Sequence, residues 1–214
     1  MRIVIAGGHG QIALLLSRRL TDRGDSVAGL IRNPAHAADV VAAGAEPVTA
    51  DLEAVDAAAL AETVRGADAV VFAAGAGPGS GVGRKDTVDR GAAALLADAA
   101  TAAGVRRYLQ VSAMGVDAAP ADDEVFSVYL RAKAAAEQDL RGRDLDWTIL
   151  RPGGLTNDPA TGLVRLEPHV EPGRVPRDDV AAVLVALLDE PRTAGRTLEL
   201  VSGDTAIAAA VAAA

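Results

Sequence analysis

Arg2-Ile-Val-Ile-Ala-Gly7-Gly8-His9-Gly10-Gln11-Ile12-Ala13 carries an apolar strand into a glycine turn and then directly into a helix. A side chain at Gly7 would obstruct the backbone angles that such a turn needs. Gly10 lets backbone N–H groups come close to a phosphate, Ala13 is small enough for helix–strand packing, and the helix N-terminus favours an anion. The stretch therefore reads as the seat of a dinucleotide pyrophosphate, with Gly8, His9, Gln11 and Ile12 of the same turn counted among the contacts. A glycine turn that merely joined a strand to a helix would use similar residues, so the rest of the chain has to decide.

Outward from that turn, β-branched runs alternate with Ala/Leu-rich stretches, the pattern of βαβ units with a parallel sheet covered on both faces. Strands are expected at Arg2–Ala6, Ser26–Ile31, Glu46–Thr49, Ala69–Ala73, Arg107–Ser112, Trp147–Leu150 and Thr197–Val201. Helices are expected at Gly10–Arg23, Pro34–Ala43, Val55–Arg65, Asp86–Ala103, Val125–Arg141 and Asp178–Leu188, with Asp86 and Asp178 as N-caps and Gly104 and Gly142 as stops. The fold class is thus α/β, a Rossmann-type doubly wound parallel sheet of about seven strands. A single domain over 1–214 is expected, with a small substrate lobe from segments near 75–84, 114–124 and 152–177. Gly75–Arg84 and Pro152–Arg177 read as irregular, and Ala206–Ala214 as a weak or frayed helix.

Composition narrows the function classes. The 214 residues suffice to bury roughly 70% of the unfolded surface in one core. A formal charge of −8 provides no basic field for a polyanion, so nucleic acid is not an expected partner. There is no cysteine, which removes disulfides, thiolate catalysis and Cys-based metal sites. No cluster of His and carboxylates has metal-ligand spacing, and a metal is not indicated. No apolar stretch approaches the roughly 20 residues that span a bilayer and no leader is read before the first strand, so a cytoplasmic protein with no membrane partner is expected.

The second strand ends in Arg32, with no acid until Asp39. A carboxylate there would accept from the ribose of NAD(H), whereas an arginine suits the extra phosphate of NADP(H); NADP(H) is favoured. An exposed charge at the start of a helix is the alternative. Asp51 and Leu52 follow the third strand, placed for the adenine end or for an ordinary helix cap. Ala73-Ala74-Gly75 closes the fourth strand and opens a glycine-rich loop that lies against a ribose or is a plain surface connection.

Tyr129 and Lys133 stand one helical turn apart on one face. A phenol needs a nearby cation to act as an acid near neutrality, and Lys133 is such a cation. The alternative is a packed Tyr beside a solvated Lys. Ser112 ends the fifth strand, where its hydroxyl can polarise a carbonyl oxygen or simply form a turn. Arg151 is a candidate clamp for a substrate carboxylate, or the partner of an internal acid such as Asp178. His36 and His169 read as solvated loop residues, and His9 likewise unless its glycine turn brings it to a phosphate.

At these residues the chain resembles the short-chain dehydrogenase/reductase superfamily. The matching marks are Gly7-x-x-Gly10-x-x-Ala13, Asp51, Ala74-Gly75, Ser112 and Tyr129-x-x-x-Lys133. Leu150-Arg-Pro-Gly-Gly154 and Pro176-Arg-Asp-Asp-Val180 resemble motifs of its short atypical branch, which includes flavin and biliverdin reductases and nucleotide-sensing members. The resemblance implies that Tyr129 gives a proton to substrate oxygen as hydride leaves NADPH, that Lys133 bonds the nicotinamide ribose and lowers the Tyr129 pKa, and that Ser112 orients the substrate. It also implies cofactor contact at Pro152, substrate contact at Met114, Arg151 and Gly153, and a homodimer through the helices before strands five and six. The expected function is NADPH-dependent reduction of a small carbonyl, quinone or flavin-like molecule. Ser112 and Tyr129 lie 17 positions apart, farther than is usual in that superfamily, which motivates a second expectation, a non-catalytic NADP(H) sensor. An isomerase or dehydratase that retains its cofactor is the third.

Overall fold

Strands that are apolar on both faces require helices on both sides of a parallel sheet, and the chain builds that arrangement. The computed structural model describes every residue except Pro78, which falls within the expected Gly75–Arg84 loop and lies outside the described residues. The strands are β1 (Arg2–Ala6), β2 (Ser26–Ile31), β3 (Glu46–Thr49), β4 (Ala69–Phe72), β5 (Arg107–Val111), β6 (Asp146–Pro152), β7 (Gly154–Thr156), β8 (Leu163–Glu167), β9 (Arg174–Pro176), β10 (Arg196–Ser202) and β11 (Thr205–Ala206). The main sheet has the order β11-β8-β10-β6-β5-β4-β1-β2-β3, and the seven strands from β3 to β10 run parallel.

The helices are α1 (Gln11–Asp22), α2 (Ala37–Ala42), α3 (Ala57–Val64), α4 (Val82–Arg84), α5 (Ala93–Ala103), α6 (Val125–Arg141), α7 (Arg177–Leu188) and α8 (Ile207–Ala213), with a π-helical segment, Lys85–Ala92, joining α4 to α5. Alternate residues of each central strand enter two separate cores. Ile3, Ile5, Val71 and Leu109 pack with Leu16 of α1 and Leu184 of α7. Val4, Val70, Phe72 and Tyr108 pack with Leu60 of α3, Leu96 of α5 and Leu140 of α6. None of the helices described is long and apolar enough to cross a membrane.

Three expectations are corrected. The stretch Pro152–Arg177 is not irregular: β7 pairs with β9, and β8 adds to β10 as an antiparallel edge, followed by β11, giving nine strands in the main sheet. In β8, Val164 and Leu166 are buried while Leu163, Arg165 and Glu167 face solvent, an alternation of period two that fits an edge strand covered on one side. The helix expected to begin at Asp86 begins at Val82 behind Gly81, and Asp86 instead pairs with Arg90 one turn on (2.6 Å). Asp178 is not an N-cap either; α7 starts after Pro176, and Asp178 in its first turn accepts from Arg19 Nε of α1 at 2.6 Å. The C-terminal segment forms α8, held by buried Ala210 and Val211.

Candidate functional site

The strand order reverses between β1 and β4, and their carboxyl ends open the crevice where ligands lie in such sheets. Gly7 leaves β1 at φ 80°, and a Cβ there would sit 2.6 Å from Ala74 Cα, so only glycine lets the two chain segments approach. Gly10 donates its N–H to Gly7 O at 2.8 Å and forms the N-cap of α1. No side chain caps that helix and no acid occupies its first turn, which leaves N–H dipoles facing the crevice for an anion. Ala13 is fully buried against the sheet, as its size requires. These residues fit a dinucleotide pyrophosphate: the cradle is one that a Cβ would fill, and its donors are uncapped.

Two residues of the turn lie elsewhere. Gly8 donates to Leu30 O at 2.9 Å, and a Cβ on it would meet Gly29 Cα at 2.7 Å; it packs the turn onto β2 and does not line the crevice. The Gln11 side chain faces a separate groove with Leu14, Arg18 and Asn157, while its backbone N–H belongs to the first turn of α1.

The outer half of the crevice is a cavity of about 430 Å³ that brings together Gly7, His9, Gly10, Arg32, Asp51 and Leu52, and its inner wall is Ala73-Ala74-Gly75. Arg32 is half exposed and donates to Glu53 Oε2 at 3.1 Å; Arg84 donates to the same oxygen at 2.6 Å, and Thr87 Oγ1 to Glu53 Oε1 at 2.6 Å. Hydrogen bonds from Arg84 and Thr87 hold the Glu53 carboxyl below the usual range. Asp51 accepts from Glu53 N at 3.0 Å in a turn, while Asp56 caps α3. His9 stacks on His36 with ring centroids 3.7 Å apart and contacts Asp39 Oδ2 at 2.8 Å. Asn33, His36, Glu53 and Arg84 also line this half. They stand outside the motif positions, and only the fold brings Arg84 of α4 to Arg32.

The inner half, of about 860 Å³, shares Ala73, Ala74 and Gly75 with the outer one, so the crevice is continuous. It brings together Ile12, Ser112, Met114, Tyr129, Lys133, Pro152 and Gly153. Lys133 is buried, with Nζ 3.3 Å from Asp89 Oδ1, 3.3 Å from Ala74 O and 3.2 Å from Val111 O. Burial pulls its ammonium below the usual value, against the attraction of Asp89. The alternative of a solvated lysine is therefore excluded. Asp89 is fully buried and its Oδ2 accepts from Ala76 N at 3.2 Å.

Tyr129 lies between two ammonium groups, 5.5 Å from Lys85 Nζ and 5.9 Å from Lys133 Nζ to its ring centre. The expected lowering of its pKa by Lys133 is not what the surroundings produce. Burial, seconded by the Asp89 carboxylate, pushes the phenol up to about 12. Tyr129 is thus a neutral hydrogen-bond donor at physiological pH. Ser112 Oγ donates to Glu137 Oε1 at 2.6 Å.

Of the two readings of Arg151, the structure shows the internal ion pair, with acids other than Asp178. Its side chain is buried and bound to Glu137 (Nε 2.9 Å, Nη2 2.6 Å) and Asp117 (2.5 and 2.9 Å), away from both halves of the crevice and from Asp178. Lys85, Asp89, Phe126, Leu155 and Arg177 line the inner half without having been singled out. Lys85 and Asp89 lie one turn apart on the buried side of the π-helical segment, where charged side chains left no apolar stripe to read. Glu137 did leave a signal: Tyr129, Lys133 and Glu137 form an i, i+4, i+8 stripe.

A family model described as NAD(P)H-binding matches residues 7–191. The chain is 38% identical over 212 residues to the Bacillus subtilis protein named "Uncharacterized sugar epimerase YhfK", covering 99% of each. A solved structure from Bacillus halodurans, described as a "Putative NAD-dependent epimerase/dehydratase", superposes with a TM-score of 0.93 at 33% identity, covering 100% of both chains. ChuY from Escherichia coli O157:H7, described as an anaerobillin reductase, superposes with a TM-score of 0.80 at 27% identity over 95% of this chain and 98% of its own.

Proposed function

We propose, from the premise that the chain belongs to the NAD(P)H-binding family of the atypical short-chain dehydrogenase/reductase type, that it is an NADPH-dependent reductase of a small carbonyl, quinone or flavin-like molecule. The observation that carries this reading is the continuity of the crevice: an anion cradle at Gly7, Gly10 and the α1 N-terminus leads past Ala74 into an inner cavity that holds Ser112, Tyr129 and Lys133.

Bound along the crevice, NADPH supplies hydride. Gly7, Gly10 and the first turn of α1 hold its pyrophosphate, and Arg32, with Arg84 beside it across Glu53, favours the additional phosphate that distinguishes NADPH from NADH. Lys133 is held in place by Asp89 and two backbone carbonyls where it lines the inner cavity. Tyr129 holds its proton on Oη and offers it to an acceptor atom of the substrate. Phe126 and Leu155, both exposed apolar residues, line the mouth of the inner cavity and offer apolar surface to a substrate.

The names of the Bacillus relatives favour a second reading, an epimerase or dehydratase that keeps its cofactor through the cycle. Net consumption of NADPH separates the two. NADPH oxidation against a panel of carbonyl and quinone acceptors is expected to proceed, and Tyr129→Phe to lower turnover by about 10²-fold while leaving NADPH affinity unchanged. Absence of net NADPH oxidation, with cofactor copurifying on the protein, would favour the epimerase reading.

A further inference from the structure

One hydrogen bond at the inner cavity has a polarity that restricts the substrate, given the reductase reading above. Glu137 of α6 is fully buried. Its Oε1 takes Arg151 Nε at 2.9 Å, and its Oε2 takes Arg151 Nη2 at 2.6 Å and Arg141 Nη2 at 2.8 Å. Guanidinium groups only donate, so both carboxylate oxygens are acceptors. The fourth partner is the Ser112 hydroxyl, 2.6 Å from Oε1, and it too must donate. Asp117 holds the other side of Arg151, which keeps the guanidinium from turning away to leave Glu137 free.

Ser112 is 5% exposed and lines the inner cavity. With its single hydrogen directed at Glu137, its oxygen can present only lone pairs to a ligand. Turning the hydroxyl toward a substrate carbonyl would strip a donor from a carboxylate that water does not reach.

We propose that Glu137 is a positioning residue that makes Ser112 a hydrogen-bond acceptor, and that the substrate meets Ser112 with an N–H or O–H group and not with a carbonyl oxygen. Tyr129 is a donor in the same cavity, so the matching substrate carries an N–H or O–H close to a carbonyl or another acceptor atom, as lactams, imides and hydroxycarbonyl compounds do. This reverses the role of Ser112 expected from the sequence, where it polarises a carbonyl.

The test is NADPH oxidation with three acceptors: isatin, whose lactam carries an N–H, N-methylisatin, which lacks it, and menadione, which has no such donor. The wild-type kcat/KM for isatin is expected to exceed that for N-methylisatin by at least about tenfold, since the methylated compound leaves Ser112 unpaired. Ser112→Ala removes the acceptor but not the Glu137–Arg151 pairs, and is expected to bring the ratio close to one. Glu137→Gln places an amide N–H beside Ser112, frees the hydroxyl to donate outward, and is expected to lower the ratio; a merely structural role for Glu137 would lower both activities alike. If Glu137→Gln fails to fold, the Ser112→Ala ratio decides. Equal turnover of the two isatins by the wild type overturns the inference and leaves the reductase reading standing. A preference that survives in Ser112→Ala is steric and also overturns it. Oxidation of NADPH with none of the three removes the reductase reading, and the inference with it.

Discussion

Replacing Lys133 by Met should destabilise the fold far more than removing a surface charge does. Lys133 and Asp89 are 3% and 0% exposed, with Nζ and Oδ1 3.3 Å apart. Lys133→Met is close in length, so the change leaves little cavity, but it strands a carboxylate that is fully out of water. Breaking a buried pair from one side costs about 3–5 kcal/mol. In a domain of this size each kcal/mol moves Tm by about 2–4 °C, so the variant should melt about 6–20 °C lower. Asp89→Asn in the same chain removes the stranded charge and keeps an oxygen for Ala76 N, which Asp89 Oδ2 accepts at 3.2 Å. The double variant should therefore be more stable than Lys133→Met by about 2 kcal/mol or more. Urea unfolding of wild type, both single variants and the double variant gives the coupling energy directly. A loss below about 1 kcal/mol for Lys133→Met, or a double variant no more stable than it, would refute the idea that this pair is a desolvated charge couple.

Gly7→Ala forces a side chain to adopt φ 80° with its Cβ 2.6 Å from Ala74 Cα; the left-handed conformation alone costs about 1–2 kcal/mol, and unfolding should show at least that loss together with weakened NADPH binding by calorimetry. Ultraviolet difference titration of the folded protein should show no tyrosinate before about pH 11, since burial raises Tyr129 to about 12 and raises Tyr108 further. Both folded values exceed the unfolded value near 10, so the stability contributed is complete below pH 10 and declines as pH rises toward 12; tyrosinate in the native protein at pH 9 would contradict the site's electrostatics.

The parallel sheet was readable because its signals are local. β1, β2 and β4 are largely apolar runs bounded by turns, and Gly7, Gly10 and Ala13 mark the strand–helix junction, where Gly7 closely approaches Ala74. What escaped depends on pairing at long range or on unusual helix geometry. β8 gains its place by pairing with β10 more than thirty residues away, and Gly and Pro around it masked an alternating pattern. Lys85 and Asp89 are buried in the π-helical segment although charged, so they did not stand out as inward-facing positions. The internal pairing of Arg151 was legible as one of two readings, but its partners were not, because Asp117, Glu137 and Glu199 converge from three other elements. Among the motif residues, Gly8 packs onto β2 and the Gln11 side chain turns to a different groove, so spacing alone does not say which atoms face the crevice.

The most direct measurement of the central claim is calorimetric titration of the protein with NADPH and with NADH, repeated on Arg32→Ala. The crevice predicts saturable binding of both nucleotides, tighter for NADPH, with Arg32→Ala weakening NADPH selectively and leaving NADH nearly unchanged. Binding of neither nucleotide would reduce the glycine turn to a structural junction and contradict the account from its first residue onward.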